Sequence, residues 1–259
     1  MNQPLAYIHP EAKIADNVVI EPFAMIHKNV VIGEGSWIGS NSIINEGARI
    51  GKNCKIFPGA VISSIPQDLK FKGEETTAVI GDNTVIREFV TISRGTVDKH
   101  TTVIGKNCLI MAYVHIAHDC IIGDNVLLVN AVQLAGHVQV DDFAIIGGAS
   151  VIHQFVRIGS HVIIAGGSLI GKDVPPFSKA AREPLRYCGI NSVGLKRRGF
   201  TAEKINEIQD VYRSLYMKGH NTTAAIQEIE MECPPTKERD EILTFIRNSE
   251  RGIMKGIGA

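Results

Sequence analysis

Along most of the chain an aliphatic residue returns at every sixth position: Ile8, Ile14, Ile20 and onward to Ile62, again at Ile80, Ile86 and Ile92, then from Ile104 through Ile122, Leu128, Leu134, Val140 and Ile146 to Ile170. Only Asp68, Glu74 and Asp98 break the phase. An α-helix cannot present one face every six residues over such a distance, and a half-buried strand alternates every two. The pattern therefore predicts a parallel β-helix of hexapeptide repeats. Four residues after each aliphatic stands a small residue (Ala12, Val18, Ala24, Ser36, Ser42, Ala48, Cys54, Ala60), expected to point inward beside its large neighbour. Three residues after it stands mostly Asn or Gly (Asn17, Asn29, Gly35, Asn41, Gly47, Asn53, Gly59, Asn83, Gly95, Asn107, Asn125), the residues that best tolerate positive φ. Those positions are expected to turn corners. Three strands and three corners make a triangular lap of eighteen residues, and successive laps stack about 4.8 Å apart.

Two polar stretches, 63–79 and 98–103, leave the pattern and return in phase, as loops ejected from a corner would. Loops on a rigid scaffold carry function or are simply tolerated, and the pattern does not choose between these. Pro175 and Pro176 are expected to end the repeat, because neither can donate to a ladder. Beyond them the period turns helical. Thr201 is placed to cap a helix carrying Ile205, Ile208, Val211, Tyr212 and Leu215, with Gly219 at its end. Thr222 to Cys233 predicts a second helix, and Thr236 caps a third with Ile242, Leu243 and Ile246. The expected organisation is an all-β solenoid over 1–190 with an α-helical domain over 191–259 that covers the open solenoid end.

Charge narrows the partners. Lysines plus arginines number 27 and so do the acidic residues, leaving no net field to favour nucleic acid or an anionic membrane. No signal peptide and no apolar run of spanning length is present, which predicts a cytoplasmic protein without stable membrane insertion. Cys54, Cys108 and Cys120 fall at the small inward position and read as reduced packing residues.

The eighteen-residue lap converts spacing into proximity. His118, Gly136 and Gln154 are expected on one edge, with His137 and His153 beside them, His115 a little back, and His100 one lap earlier. Gathered imidazoles on a solvent-facing edge suit proton transfer near neutral pH. Asp119, His137 and His161 fall at the corner position, where Asn, Asp and His also occur for conformational reasons alone. His118 precedes its corner, where the repeat asks for no histidine.

The segments His115-Ile-Ala-His118-Asp119-Cys120, Leu134-Ala-Gly136-His137-Val138 and Ile152-His153-Gln154-Phe155 resemble the UDP-N-acetylglucosamine acyltransferase family of hexapeptide transferases. Gln67-Asp68-Leu69-Lys70 and the stretch from Asn191 to Phe200, with Leu195-Lys196-Arg197-Arg198-Gly199-Phe200, match it too, so the resemblance covers nearly the whole chain. It implies a left-handed β-helix and a homotrimer with active sites between subunits. It implies transfer of a 3-hydroxyacyl group, delivered on the phosphopantetheine of acyl carrier protein, to the 3-hydroxyl of UDP-N-acetylglucosamine. That is the first step of lipid A biosynthesis, run without cofactor, metal or acyl-enzyme.

By the same resemblance His118 is the general base, Asp119 orients it, and the Gly136 N–H holds the oxyanion. Asp68, Lys70, His115, His137, His153 and Gln154 would contact the sugar nucleotide. Asn191, Arg197 and Arg198 would bind nucleotide or carrier, and Ile163 and Gly166 would line the acyl groove. Val193 departs from the family, whose well-known members carry an acidic residue there. Competing readings are a sister transferase (acetyl-CoA dependent, or the later N-acyltransferase of the pathway) and a zinc hydratase of the γ-carbonic anhydrase type using His115, His118 and His137. A non-catalytic ice-binding solenoid would need a flat threonine array, which the sequence lacks.

Overall fold

The computed structural model describes residues 5–257; positions 1–4 and 258–259, the extreme ends of the two expected domains, lie outside the described residues. Strands of mostly two residues stack into three sheets of nine, eight and ten strands, each hydrogen-bonded to the strand three further along the chain until the last two strands of the ten-stranded sheet. We call these the first, second and third faces of the prism. They begin at Tyr7–Ile8, Lys13–Ile14 and Val19–Ile20 respectively. The solenoid is the expected left-handed parallel β-helix with a helical tail.

In each two-residue strand the first side chain points out and the second in. From Ile20 onward the inward aliphatics are almost completely buried. From Val18 onward the small residue four later is mostly buried as well, and several of the Ser, Thr and Cys residues there reach a carbonyl of the next lap. Ser36 Oγ donates to Gly51 O at 2.9 Å, Cys54 Sγ to Gly81 O at 3.2 Å and Cys120 Sγ to Ala135 O at 3.2 Å. All five cysteines are free. Burial pushes the Cys108 thiol to about 11 and the Cys120 thiol to about 12, so both stay protonated packing groups.

Laps are eighteen residues long except at the two insertions and in the last lap, where Ile163 pairs with Lys179, sixteen residues on. Val61 pairs with Thr91, thirty residues on, and Thr91 pairs with His115, twenty-four on. Each insertion lengthens its lap by a multiple of six, which keeps the aliphatics in phase. It also voids simple counting by eighteen across the loop. His100 is exposed, its N–H bonds Thr96 O at 2.8 Å, and it carries an insertion rather than a member of the histidine row.

Corners do adopt positive φ, although Asn17 and Gly95 are not among those that do. Many corner residues are neither Asn nor Gly: Phe23, Phe89, Tyr113, Phe143, Phe155 and Phe177 stand there too. A side chain at positive φ costs roughly 1–2 kcal/mol. Apart from Phe23, these rings stack on the corner of an adjacent lap, which returns about 0.5–1.5 kcal/mol per aromatic pair. Phe89 stacks on Tyr113 with centroids 5.3 Å apart, His137 on Phe155 at 4.5 Å, Phe143 on His161 at 4.9 Å.

Pro175 and Pro176 do not end the pairing. They occupy a corner where no N–H is required, and Ser178–Ala181 then adds another parallel strand to the third face. Arg186–Ile190 closes that edge antiparallel. Asn191 caps a short helix that sequence reading does not anticipate, α1 (Ser192–Arg197). Thr201 caps α2 (Ala202–Met217), Asn221 caps α3 (Thr222–Glu232) and Thr236 caps α4 (Lys237–Arg247). The helices pack on the last laps: the Tyr212 hydroxyl bonds Pro176 O, Glu241 meets Ser160, and Arg157 lies over the Phe245 ring at 4.6 Å. One buried hydrophobic cluster runs from Val18 to Met254.

Candidate active site

His118 and Asp119 sit at the corner joining the first and second faces, between the strands His115–Ile116 and Ile121–Ile122. Asp119 is the corner residue, with φ 59°, and is fully buried; His118 is 7 % exposed. His118 Nδ1 lies 2.8 Å from Asp119 Oδ2. Burial alone would raise the Asp119 pKa. Hydrogen bonds from the Thr96 side chain and backbone and from His118, with the nearby His137, outweigh burial and hold it below the usual range. An ionised carboxylate only accepts, so Nδ1 is the donor in this contact, and in the neutral ring Nε2 is then the nitrogen with the free lone pair.

Nε2 faces a cleft of ≈ 580 Å³ lined by His115, His118, Gly136 and Gln154, and roofed by Asp68 and Lys70 of the first inserted loop. Asp68 Oδ2 stands 4.0 Å from Nε2. The loop is fastened by Arg94, whose guanidinium lies 5.4 Å from the Phe71 ring centre, and by the Phe71 N–H bonded to Asp68 O. Gly136 lies directly beside His118: a Cβ there would come within 2.7 Å of ring Cε1 and 2.8 Å of Nε2. Its carbonyl accepts from Phe155 N–H, whereas its own N–H takes no part in the ladder among the described residues.

His115 Nδ1 is 2.8 Å from Thr91 Oγ1, and burial with the neighbouring His118 lowers its pKa. His137 stands edge-on to His118, centroids 5.1 Å apart. It opens into an adjoining recess of ≈ 440 Å³ that shares Asp68, Lys70 and Gln154 with the cleft. Asp98 Oδ2 is 3.2 Å from His137 Nδ1 without hydrogen-bond alignment, a contact that becomes an ion pair only when the ring is protonated. Burial lowers the His137 pKa, Asp119 opposing and His118 adding. His153 is exposed; its Nδ1 turns to Gln154 O at 3.1 Å, and it lines neither cavity. Thr96, Asp98 and Thr91 are contacts that sequence reading missed. Only Asp98 left a trace, as a break in the phase; Thr91 and Thr96 lie before it.

The remaining candidates stand at other corners. Asn191 is buried and fully used: Nδ2 donates to His161 O at 2.9 Å and Oδ1 accepts from Gly194 N. Arg198 lies 5.7 Å from the Phe143 ring centre, at the corner joining the second and third faces. Arg197 and Val193 are exposed on α1. Ile163 is on the third face and Gly166 at the corner leading back to the first, 3.0 Å (from an added Cβ) to Gly148 O. A single chain therefore assembles the histidine cleft but not the tail or groove residues around it.

His118, Asp119 and His137 bring three potential metal-ligand atoms within 4.8 Å of one another. That set differs from the three-histidine set of the hydratase reading, since Asp119 replaces His115. Its Oδ2 already accepts from Thr96 Oγ1 at 2.6 Å and from His118. The geometry fits a proton relay.

A family profile described as UDP-N-acetylglucosamine O-acyltransferase, domain 2, matches residues 173–254, and the bacterial transferase hexapeptide profile matches 29–64 and 101–136. The acyl-(acyl-carrier-protein)–UDP-N-acetylglucosamine O-acyltransferase of a Sulfurihydrogenibium species is 58% identical over 196 residues, 75% of this chain and 72% of that protein. The enzyme of the same name from Chlorobium phaeobacteroides is 60% identical over 195 residues, 75% of this chain and 74% of its own length. The crystal structure of the UDP-N-acetylglucosamine acyltransferase from Bacteroides fragilis superimposes with a TM-score of 0.97 at 53% identity, covering 98% of this chain and 100% of that one.

Proposed function

The chain belongs to the UDP-N-acetylglucosamine O-acyltransferase family and is an acyltransferase of lipid A biosynthesis, and we propose that His118 is the general base of its reaction. Its substrates are the acyl thioester of acyl carrier protein and UDP-N-acetylglucosamine. What carries the base assignment is the 2.8 Å contact that fixes the Nδ1 proton on Asp119 and leaves the Nε2 lone pair facing the cleft.

In this mechanism Nε2 takes the proton from the sugar 3-hydroxyl as its oxygen attacks the thioester carbonyl. Asp119 stabilises the imidazolium that forms. The Gly136 N–H receives the developing oxyanion. Collapse of the tetrahedral intermediate breaks the carbon–sulfur bond, and the departing thiolate of the carrier's phosphopantetheine takes the proton back from His118. No resident cofactor is required and no acyl-enzyme forms. Asp68, Lys70, His115, His137 and Gln154, with His153 at the margin, hold the sugar nucleotide. Cationic Arg197, the last residue of the helix capped by Asn191, and Arg198 at its C-terminal end meet diphosphate or the acidic carrier, and Ile163 and Gly166 line the acyl groove.

Because the tail and groove residues stand at other corners of the prism than His118, the complete site is taken to form between chains of a homotrimer. Among the described residues no helix is long and apolar enough to cross a membrane. Together with five free cysteines, this supports a cytoplasmic location. His118→Ala is expected to abolish turnover of a 3-hydroxyacyl carrier with UDP-N-acetylglucosamine, while circular dichroism and solution mass stay unchanged. Near-parental turnover in that variant would remove His118 from the base role.

A further inference from the structure

A corner residue in a solenoid ordinarily stands in solvent, yet Asp119 is completely buried. What covers it is the loop between the strands Thr91–Ser93 and Thr101–Ile104, which leads into and includes the start of the second insertion. Thr96 N–H donates to Asp119 Oδ1 at 2.9 Å, Thr96 Oγ1 donates to Oδ2 at 2.6 Å, and Lys99 N–H reaches Oδ1 at 3.3 Å. From the solenoid side Thr102 Oγ1 accepts the Asp119 N–H at 2.9 Å. Thr96 is itself 7 % exposed and locked: its Oγ1 accepts from Asp98 N–H at 3.3 Å and its carbonyl from His100 N–H. A tight turn holds it there, since a Cβ on Gly95 would lie 2.2 Å from Thr101 N.

Three groups meet at Asp119 Oδ2: the Thr96 hydroxyl and His118 Nδ1 at hydrogen-bond distance, and His137 Nε2 at 3.7 Å. A carboxylate free to rotate would offer His118 either oxygen in a range of directions. One gripped through both oxygens offers a single lone pair along a fixed line.

We propose that Thr96 is a positioning residue of the reaction: its hydroxyl and N–H clamp Asp119, and through it set the tautomer, direction and basicity of His118. This rests on the base assignment of His118, and it makes the loop leading into the second insertion part of the catalytic machinery rather than a tolerated excursion. Thr96 touches no reacting atom.

The variants are Thr96→Val, which keeps shape and loses the hydroxyl, and Thr96→Ser, which keeps the hydroxyl and loses the methyl. Thr96→Val is expected to lower kcat about ten- to a hundredfold, the scale of one hydrogen bond to a charged group, with KM for the nucleotide sugar unchanged. With one donor fewer, Oδ2 stabilises the imidazolium more, so the acid limb of the kcat/KM profile moves to higher pH. Thr96→Ser restores both to near parental values. In an Asp119→Asn background the valine substitution adds no further loss. A Thr96→Val enzyme with parental kcat and pH profile overturns the proposal. So does a serine variant as impaired as valine, or a valine loss that persists undiminished beside Asp119→Asn. His118→Ala, assayed alongside, separates the two failures: an active His118→Ala sinks the base assignment, whereas an inactive one beside a normal Thr96→Val sinks only the clamp.

Discussion

Gly136 shows how little room the chemistry leaves at the scale of one residue. Its φ is not in the left-handed region, so backbone freedom is not the reason for glycine here. The reason is the His118 ring: a methyl group at 136 would sit 2.7 Å from Cε1, and the ring cannot swing aside while Nδ1 is held by Asp119. Gly136→Ala is therefore expected to displace the imidazole and cut kcat about 10²-fold, the usual consequence of a misplacement near 1 Å. Its melting temperature should stay close to the parent's. Unchanged kcat would mean that the ring is not where the reaction needs it. His118, Gly136 and Gln154 were legible beforehand because eighteen-residue laps carry them onto one row. Thr96 and Asp98 were not, since their contacts to Asp119 and His137 cross an insertion whose path no periodicity describes.

At the scale of elements, the insertions and corners carry what the repeat leaves unspecified. Strand positions and the inward small residues followed from the hexad, because each obeys a packing constraint repeated in every lap. Corners obeyed a second constraint, stacking on the next lap, which admits aromatic rings beside the Asn, Gly, Asp and His expected there. His161 stacks in the same way. It lies between Phe143 and Phe177, with Phe200 edge-on, and its main chain holds Asn191 at the start of α1. Burial, reinforced by Arg198 and Lys237 and partly opposed by Asp142, lowers its pKa from 6.5 to about 4. Because the folded value is the lower one, the unfolded chain takes up the proton first as pH falls. The stability that depends on neutral His161 is thus present above pH 6.5 and is lost progressively towards pH 4. His161→Phe preserves the stack and removes the titration, so the loss of melting temperature between pH 7.5 and 5 should be smaller in the variant. Equal losses in the two proteins would show that His161 does not titrate in that window.

For the whole molecule the decisive fact is the separation of corners. Adjacent corners lie six residues apart along a face, roughly 20 Å at 3.3 Å per residue. His118 is at one corner, Arg198 packs on Phe143 at the next, and Gly166 is at the third. No arginine side chain spans such a distance, so a nucleotide bound over His118 meets the Arg198 of its own chain only across an entire face. Three prisms side by side resolve this, because each presents a different corner to each neighbour. The proposed trimer then makes a prediction that mass alone does not. His118→Ala and Arg198→Ala homotrimers should each be impaired, the second mainly through KM for the nucleotide sugar. Unfolding the two together and refolding the mixture should restore activity. If each site takes His118 from one chain and Arg198 from the next, mixed trimers contain sites in which both residues are wild type. If both come from one chain, every site carries one lesion or the other, and activity in the mixture cannot exceed the average of the parents. Measured turnover above that average places the nucleotide between subunits; turnover at the average confines the site to a single prism.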